Sequence, residues 1–554
     1  MRSRAIASAR ARIWQTTSSY ESSTSSAARA FGRACSAARV SQRSSSASSR
    51  AMSSTTDPTA VARALGLTNP ALISLDCADV NGTAASTSTS TSAGVHFDVL
   101  NPATNETLCR VSGARADDID DIIARADAAQ KSWANDYTAH ARGKIIRKWF
   151  ALMEANAEDL ARVMTAEQGK PLAESRGEVA YAASFLEWYA EEARRVDGDV
   201  VPASSVGSRI TAIKQPVGTT AAITPWNFPL AMITRKAGAA LAAGCSMVIK
   251  PSEETPLSAF ALGVLAREAG CPEGVLQFVA GDAKAIGEKL CASPTVRKIT
   301  FTGSTHVGKL LMRQSADTVK RISMELGGNA PFIVCDDADI DSAVRGAMSS
   351  KFRNSGQTCV CAQRFIVHER VAREFTEKLT IAARALVMGN GLENENATQG
   401  PLINAAHVDK VDSHVRDAVS KGAVCHTGGK RAHGNFYEPT VLSNCTQDML
   451  VMREETFGPV AAIATFSDDD DAIRVANSTT AGLASYVYTT NVKRMYKFSE
   501  QLDFGIVGVN TGLISTAQAP FGGMKESGVG REGGKYGMDE YVETKYVCVG
   551  GLDE

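Results

Sequence analysis

Four short strings set reactive or hydrogen-bonding residues in backbone contexts that suit chemistry. The first is Phe352-Arg353-Asn-Ser-Gly-Gln-Thr-Cys359, a small polar loop containing glycine that delivers a cysteine. Backbone N–H groups in such a loop can lower a thiol pKa and bind an oxyanion. The second is Met324-Glu325-Leu-Gly-Gly-Asn329, just before an apolar strand-like run. A glutamate between apolar neighbours and a glycine pair is set for a raised pKa, the property a general base needs. In the third, Thr224-Pro-Trp226-Asn227-Phe-Pro229, two prolines and two aromatics stiffen a loop and leave Asn227 as a rigid amide donor. The fourth, Phe301-Thr-Gly303-Ser304-Thr-His-Val-Gly308, places glycines at a strand-to-helix junction, where a dinucleotide can approach a helix N-terminus. Each string alone is weak: a loop cysteine is more often inert, and a strand-edge glutamate more often structural.

Elements able to hold such residues follow from the hydrophobic rhythm. Helical spacing dominates from Ala116 to about Ala193. From Arg209 the pattern becomes short apolar runs, at Val217–Ile223, Ser246–Ile249, Leu276–Val279 and Val296–Phe301, separated by helical stretches such as Leu257–Ala269. A second series follows at Pro331–Cys335, Arg364–Val367, Val460–Thr465 and Ile506–Val509. Buried strands alternating with helices predict two doubly wound α/β units. Tyr541–Val549 alternates like an exposed strand seeking a sheet edge.

Length and composition set the outer limits. A chain of 554 residues exceeds what one core serves, so several domains are expected. Residues 1–50 hold nine arginines and one acid, Glu21, so the remainder is mildly acidic and has no general attraction for nucleic acid. Residues 1 to about 52, rich in Arg, Ser and Ala, have the composition of an organellar transit peptide, with the mitochondrial matrix the first destination and plastid the alternative. Thr83–Gly94 is a polar, Ser/Thr-rich tract that predicts a loop. Twelve cysteines are scattered without a CxxC pair and no HExxH occurs, so no metal is expected. No apolar run reaches the ~18 residues of a membrane span.

The four strings, with Lys250-Pro-Ser252-Glu253, Glu455-Thr-Phe457-Gly-Pro and Pro520-Phe-Gly-Gly, stand in the order and spacing of the aldehyde dehydrogenase superfamily. The resemblance covers roughly residues 70 to 552. Ile233-Thr-Arg235-Lys236, Lys351-Phe-Arg353-Asn354 and Gly356-Gln-Thr-Cys-Val-Cys361 make the chain look most like its succinate-semialdehyde dehydrogenases.

That resemblance implies a fold and a set of roles. The fold is an NAD-binding α/β domain over 70–325 and a catalytic α/β domain over 326–515. A small β oligomerisation element would combine a hairpin near 197–214 with a tail over 516–554. Cys359 would be the nucleophile, Asn227 and the Cys359 N–H the oxyanion donors, and Glu325 the base that activates water. A retained Glu325 favours hydrolysis over acyl transfer to coenzyme A. The cofactor residues implied are Trp226, Lys250, Ser252, Glu253, Gly303, Ser304, Gly308, Glu455 and Phe457. NAD is preferred over NADP because a carboxylate at 253 would repel a 2′-phosphate. Arg235, Arg353 and Ser515 would grip the distal carboxylate of succinate semialdehyde, since an arginine fork binds carboxylate bidentately. The alternative substrates are another small aldehyde, such as glutarate semialdehyde or an aminoaldehyde. Cys361 would pair with Cys359 as a redox switch, or pack as an inert thiol. Dimers or tetramers, and a place in 4-aminobutyrate degradation, are implied as well.

Overall fold

The structure, a computed structural model, describes residues 55–82 and 95–552. The targeting segment expected over 1–52 and the polar tract 83–94 lie outside the described residues.

A six-stranded sheet is built around Thr219–Ile223, with Ser246–Lys250 and Leu276–Phe278 on one side and Lys298–Thr302 and Arg321–Glu325 on the other. These five strands are parallel. Thr219–Ile223, Ser246–Lys250 and Lys298–Thr302 are almost wholly buried, which is why they read as continuous apolar runs. The chain works outward through three strands and then returns beside the first, so strand order reverses between Thr219–Ile223 and Lys298–Thr302. Parallel sheets bind ligands outside the carboxyl ends of their strands at such a reversal. The Trp226–Asn227 loop and Gly303–Ser304 leave the sheet at that point.

The sheet gains a sixth strand, Gly528–Val529, antiparallel to Met324 and Glu325. Residues after 516 therefore form part of the wall around Glu325 as well as a terminal strand. Arg321–Glu325 itself was not legible as a strand, because polar residues at its ends break the apolar run.

A seven-stranded sheet carries Ala330–Val334 and Ala362–His368 at its centre, flanked by Val460–Phe466 and Ala484–Tyr488. Ala484–Tyr488 was missed by the sequence reading. A three-stranded antiparallel sheet joins Val542–Val549 to Arg209–Pro216 and Asp199–Val201, bringing the tail and the hairpin together. Four helices fill the expected helical stretch: Asp118–Asn135, Ala139–Ala155, Ala157–Gln168 and Leu172–Glu192. A buried helix, Ala231–Ala243, turns at Gly244 into the strand Ser246–Lys250. Among the described residues no helix is long and apolar enough to cross a membrane.

Candidate active site

A cavity of about 340 Å³ is lined by Trp226, Asn227, Gly303, Ser304, Glu325, Cys359, Glu455 and Phe457, with His407 and Lys410 beside them. Trp226 and Phe457, 231 positions apart in the chain, thus line one cavity.

Cys359 stands on a loop that is over-determined. Asn354, Ser355 and Gly356 take successive left-handed conformations, with φ of 51°, 55° and 75°. At Gly356 the turn leaves no room for a side chain, since a Cβ there would stand 2.1 Å from the Gly458 carbonyl oxygen. The Gln357 side chain donates to the Asn354 carbonyl (3.1 Å) and accepts from the Ile403 N–H (2.9 Å). Ser355 Oγ donates to the Gly400 carbonyl at 2.8 Å. This rigidity holds the sulfur at the cavity wall.

Burial dominates the charge state of the site. Although Cys359 is partly exposed to the cavity, loss of solvation pushes its thiol up to about 12, and the Glu455 carboxylate adds to that rise. Arg235 and the Val360 N–H pull the other way and lose. The loop therefore corrects the expectation of a thiol acidified by backbone N–H groups. Glu325, buried at the end of its strand, is held well above the usual carboxylate range, first by desolvation and then by Glu532, against Lys236 and Arg235. Neither Glu325 carboxylate oxygen has a hydrogen-bond partner among the described residues. Unpaired buried oxygens facing a cavity fit a group whose partner arrives with the reaction.

Asn227 is buried, and its Nδ2 donates to the Gln357 carbonyl at 3.1 Å, leaving the second amide hydrogen free to donate. Thr224, Thr302 and Thr358 also carry buried hydroxyls without partners among the described residues.

The residues expected to hold a dinucleotide divide into three groups. Ser304 caps the helix Thr305–Ser315, and Gly303 lies beside it at the cavity. Glu455 accepts from the Gly328 N–H at 3.0 Å, and burial raises it to about 7. Phe457, at a φ of 58°, meets Trp226 edge-to-face at 5.6 Å. Lys250, Ser252 and Glu253 follow the adjoining strand; Lys250 and Glu253 form an ion pair outside the enclosed cavity. Gly308 lies one turn into the helix Thr305–Ser315. It is buried against Leu326, where a Cβ would come within 2.4 Å, so its smallness lets the helix pack closely there. His407 and Lys410 were missed because their helix, Ala405–Ser420, shows only ordinary periodicity.

Arg235, Arg353 and Ser515 stand off this cavity and share a neighbour the sequence did not point to, Tyr181. The Tyr181 hydroxyl accepts from the Arg235 guanidinium, and Ser515 and the Arg353 charge lie near enough to offset part of the rise that burial gives its pKa. Arg235 is fully buried, 4.3 Å from the Phe521 ring centroid and 3.5 Å from Glu532. Arg353 differs. It is half-buried over the Phe228 ring at 5.4 Å, and its guanidinium makes no hydrogen bond or ion pair among the described residues.

Residues 89–547 match the model of the aldehyde dehydrogenase family, and the chain belongs to that family of oxidoreductases. It is 55% identical over 463 residues to the mitochondrial succinate-semialdehyde dehydrogenase of Oryza sativa subsp. japonica, covering 83% of this chain and 87% of that one. It is 54% identical over 461 residues to a glutarate-semialdehyde dehydrogenase of Pseudomonas aeruginosa, covering 83% and 95%. A crystal structure of succinate-semialdehyde dehydrogenase from Burkholderia pseudomallei superposes with a TM-score of 0.81 at 54% identity, covering 82% of this chain and 94% of that one.

Proposed function

We propose that the protein oxidises succinate semialdehyde to succinate with a nicotinamide dinucleotide. The observation that carries the substrate assignment is Arg353: a half-buried guanidinium that makes no hydrogen bond and no close ion pair among the described residues, with Glu174 the carboxyl that feels its charge, six positions before Cys359 and beside Phe228. A half-buried guanidinium whose donors are not taken up by a close carboxylate suits a substrate that brings its own. Ser515 and Tyr181 offer hydroxyls in the same neighbourhood, and Arg235 adds positive potential.

In this reading the Cys359 thiol releases its proton to solvent, its sulfur bonds to the aldehyde carbon, and the carbonyl π pair moves to the oxygen, which becomes an oxyanion. The free Asn227 amide hydrogen and the Cys359 N–H stabilise it. The nicotinamide supplies the acceptor for the hydride lost from the carbon, which leaves a thioester on Cys359. Glu325 takes a proton from water, which attacks the thioester and frees the acid and the thiol. The dinucleotide would be held by Gly303 and Ser304 at a helix N-terminus, by Trp226, Glu455 and Phe457 along the cavity, and by Lys250, Ser252 and Glu253 at the adjoining strand end.

Glu253 suits ribose hydroxyls and disfavours a 2′-phosphate, so NAD is preferred. Its ion pair with Lys250 offsets part of the repulsion, which leaves NADP as the weaker alternative. Glutarate semialdehyde is the second substrate reading: one extra methylene changes discrimination by only ~1–3 kcal/mol, and the same charge would grip both. A homo-oligomer assembled through the three-stranded sheet is supported by exposed Val200, Val201, Ile213 and Tyr546. The N-terminal composition supports the mitochondrial matrix, with plastid the alternative.

The test is a kinetic matrix of succinate semialdehyde, glutarate semialdehyde, an aminoaldehyde and a neutral aliphatic aldehyde, each with NAD and NADP. The highest kcat/KM is expected for succinate semialdehyde with NAD. Equal values for charged and neutral aldehydes would remove the substrate assignment.

A further inference from the structure

The helix Leu172–Glu192 turns one face toward the site, and that face carries groups outside the proposed chemistry. Glu174, Glu178 and Tyr181 follow one another at four- and three-residue steps, hence along one stripe. A Glu174 oxygen accepts from the Asn354 N–H at 2.7 Å. Glu178 forms an ion pair with Lys170, and both side chains are about 1% exposed. The other Glu178 oxygen accepts from the N–H groups of Leu230 (3.0 Å) and Ala231 (3.3 Å). Lys170 Nζ donates to the backbone carbonyl of Asn227 at 2.8 Å and sits 4.1 Å from the Phe228 ring centroid. Asn354 Nδ2 donates to that same carbonyl at 3.0 Å.

We infer that Lys170 and Glu178 are positioning residues for Asn227, a buried ion pair that fixes where the oxyanion-binding amide stands. This rests on the reading of Asn227 given above. The pair holds the loop at both ends: the ammonium at the Asn227 carbonyl, the carboxylate at the first N–H groups of the following helix. Asn354 ties the carbonyl to the nucleophile loop, so one arrangement sets the spacing between the amide and Cys359. Buried ion pairs often add little net stability compared with apolar groups of the same size, whereas they define geometry closely. Both partners are satisfied on every side that faces the loop. Two glutamates on one helical stripe thus address the two loops that must converge.

The test is a double-mutant cycle on the full-length enzyme, reading kcat and aldehyde KM at saturating NAD. Lys170→Met keeps the stem and removes the ammonium. It is expected to lower kcat by about 10- to 100-fold, as displacement of a catalytic donor does, with KM nearly unchanged. In an Asn227→Ala background the same change should cost less than about 3-fold, because residues acting through one group are non-additive. The same fold-loss in both backgrounds, or a loss confined to KM, overturns the inference. Glu178→Gln retains an oxygen for the Leu230 and Ala231 N–H groups and should give a smaller loss of kcat that is likewise absent in Asn227→Ala. If Lys170→Met does not fold, Lys170→Met/Glu178→Gln, which leaves no unpaired charge, runs the same cycle. No folded protein from either makes the pair a stability element and overturns the inference too. An undiminished kcat in Asn227→Ala alone sinks the oxyanion reading itself, a different failure from additive losses.

Discussion

A Cβ on Gly328 would stand 2.2 Å from the carbonyl oxygen of Cys359. Backbone therefore touches backbone between the segment that carries Glu325 and the loop that carries the sulfur, and no flexible side-chain end is there to yield.

Gly328→Ala should push the Cys359 loop outward by more than 1 Å and lower kcat by about 100-fold, with slower binding of aldehyde than of dinucleotide as a secondary effect. Steady-state kinetics on the folded variant check this; kcat within about 2-fold of wild type would show that the two segments give way freely.

The pH dependence follows from burial. Glu325 is displaced upward, first by desolvation and then by Glu532, and the Cys359 thiol is pushed up to about 12. Both groups act in their deprotonated forms, so kcat is expected to climb with pH through neutrality into the alkaline range. Glu325→Gln should abolish steady turnover yet leave a burst of about one NADH per active site, since acylation precedes hydrolysis. Folding should respond in the opposite sense. Native Glu325 keeps its proton where the unfolded chain has lost one, so stability falls as pH rises above the ordinary carboxylate range, and Glu325→Gln flattens that fall. Melting temperature against pH for the two proteins measures it.

Arg353→Ala removes a charge-assisted contact of ~1.5–3 kcal/mol for an anionic aldehyde only. kcat/KM for succinate semialdehyde should drop by about 10- to 150-fold, mostly through KM, while a neutral aldehyde changes little. Arg353→Lys should recover only part of the loss, because an ammonium lacks the planar fork. Equal losses on both substrates would show that Arg353 serves the fold.

Cys361 is buried, and its sulfur donates to the Lys351 carbonyl at 3.2 Å. Pairing with Cys359 requires that bond to break, so a disulfide between them should be strained and easily reduced. Peroxide should inactivate the wild type reversibly with dithiothreitol, whereas Cys361→Ala should be inactivated without recovery. Inactivation of Cys361→Ala with the same recovery disposes of the switch.

The residues that carry chemistry were legible because their surroundings are local. Cys359, Asn227 and Gly303 sit in stiff or glycine-containing loops, and loop chemistry is written in a few adjacent residues. Strands such as Ser246–Lys250 and Ala330–Val334 announced themselves by unbroken apolar composition, which buried parallel strands need. The strand Arg321–Glu325 did not, since its half-exposed start and functional end are polar.

What the sequence by itself determined is most of the buried strands, the two doubly wound units and the candidate reactive groups. All of these depend on neighbours within a few residues. Tertiary structure alone decided protonation and support: a thiol raised rather than lowered, and Lys170, Glu178 and Tyr181 drawn to the candidate site. Lys236 meets Glu532 across 296 positions, and Lys170 meets Asn227 across 57. Desolvation and long-range hydrogen bonds arise only when distant segments exclude water together, and no local pattern encodes which segments those will be.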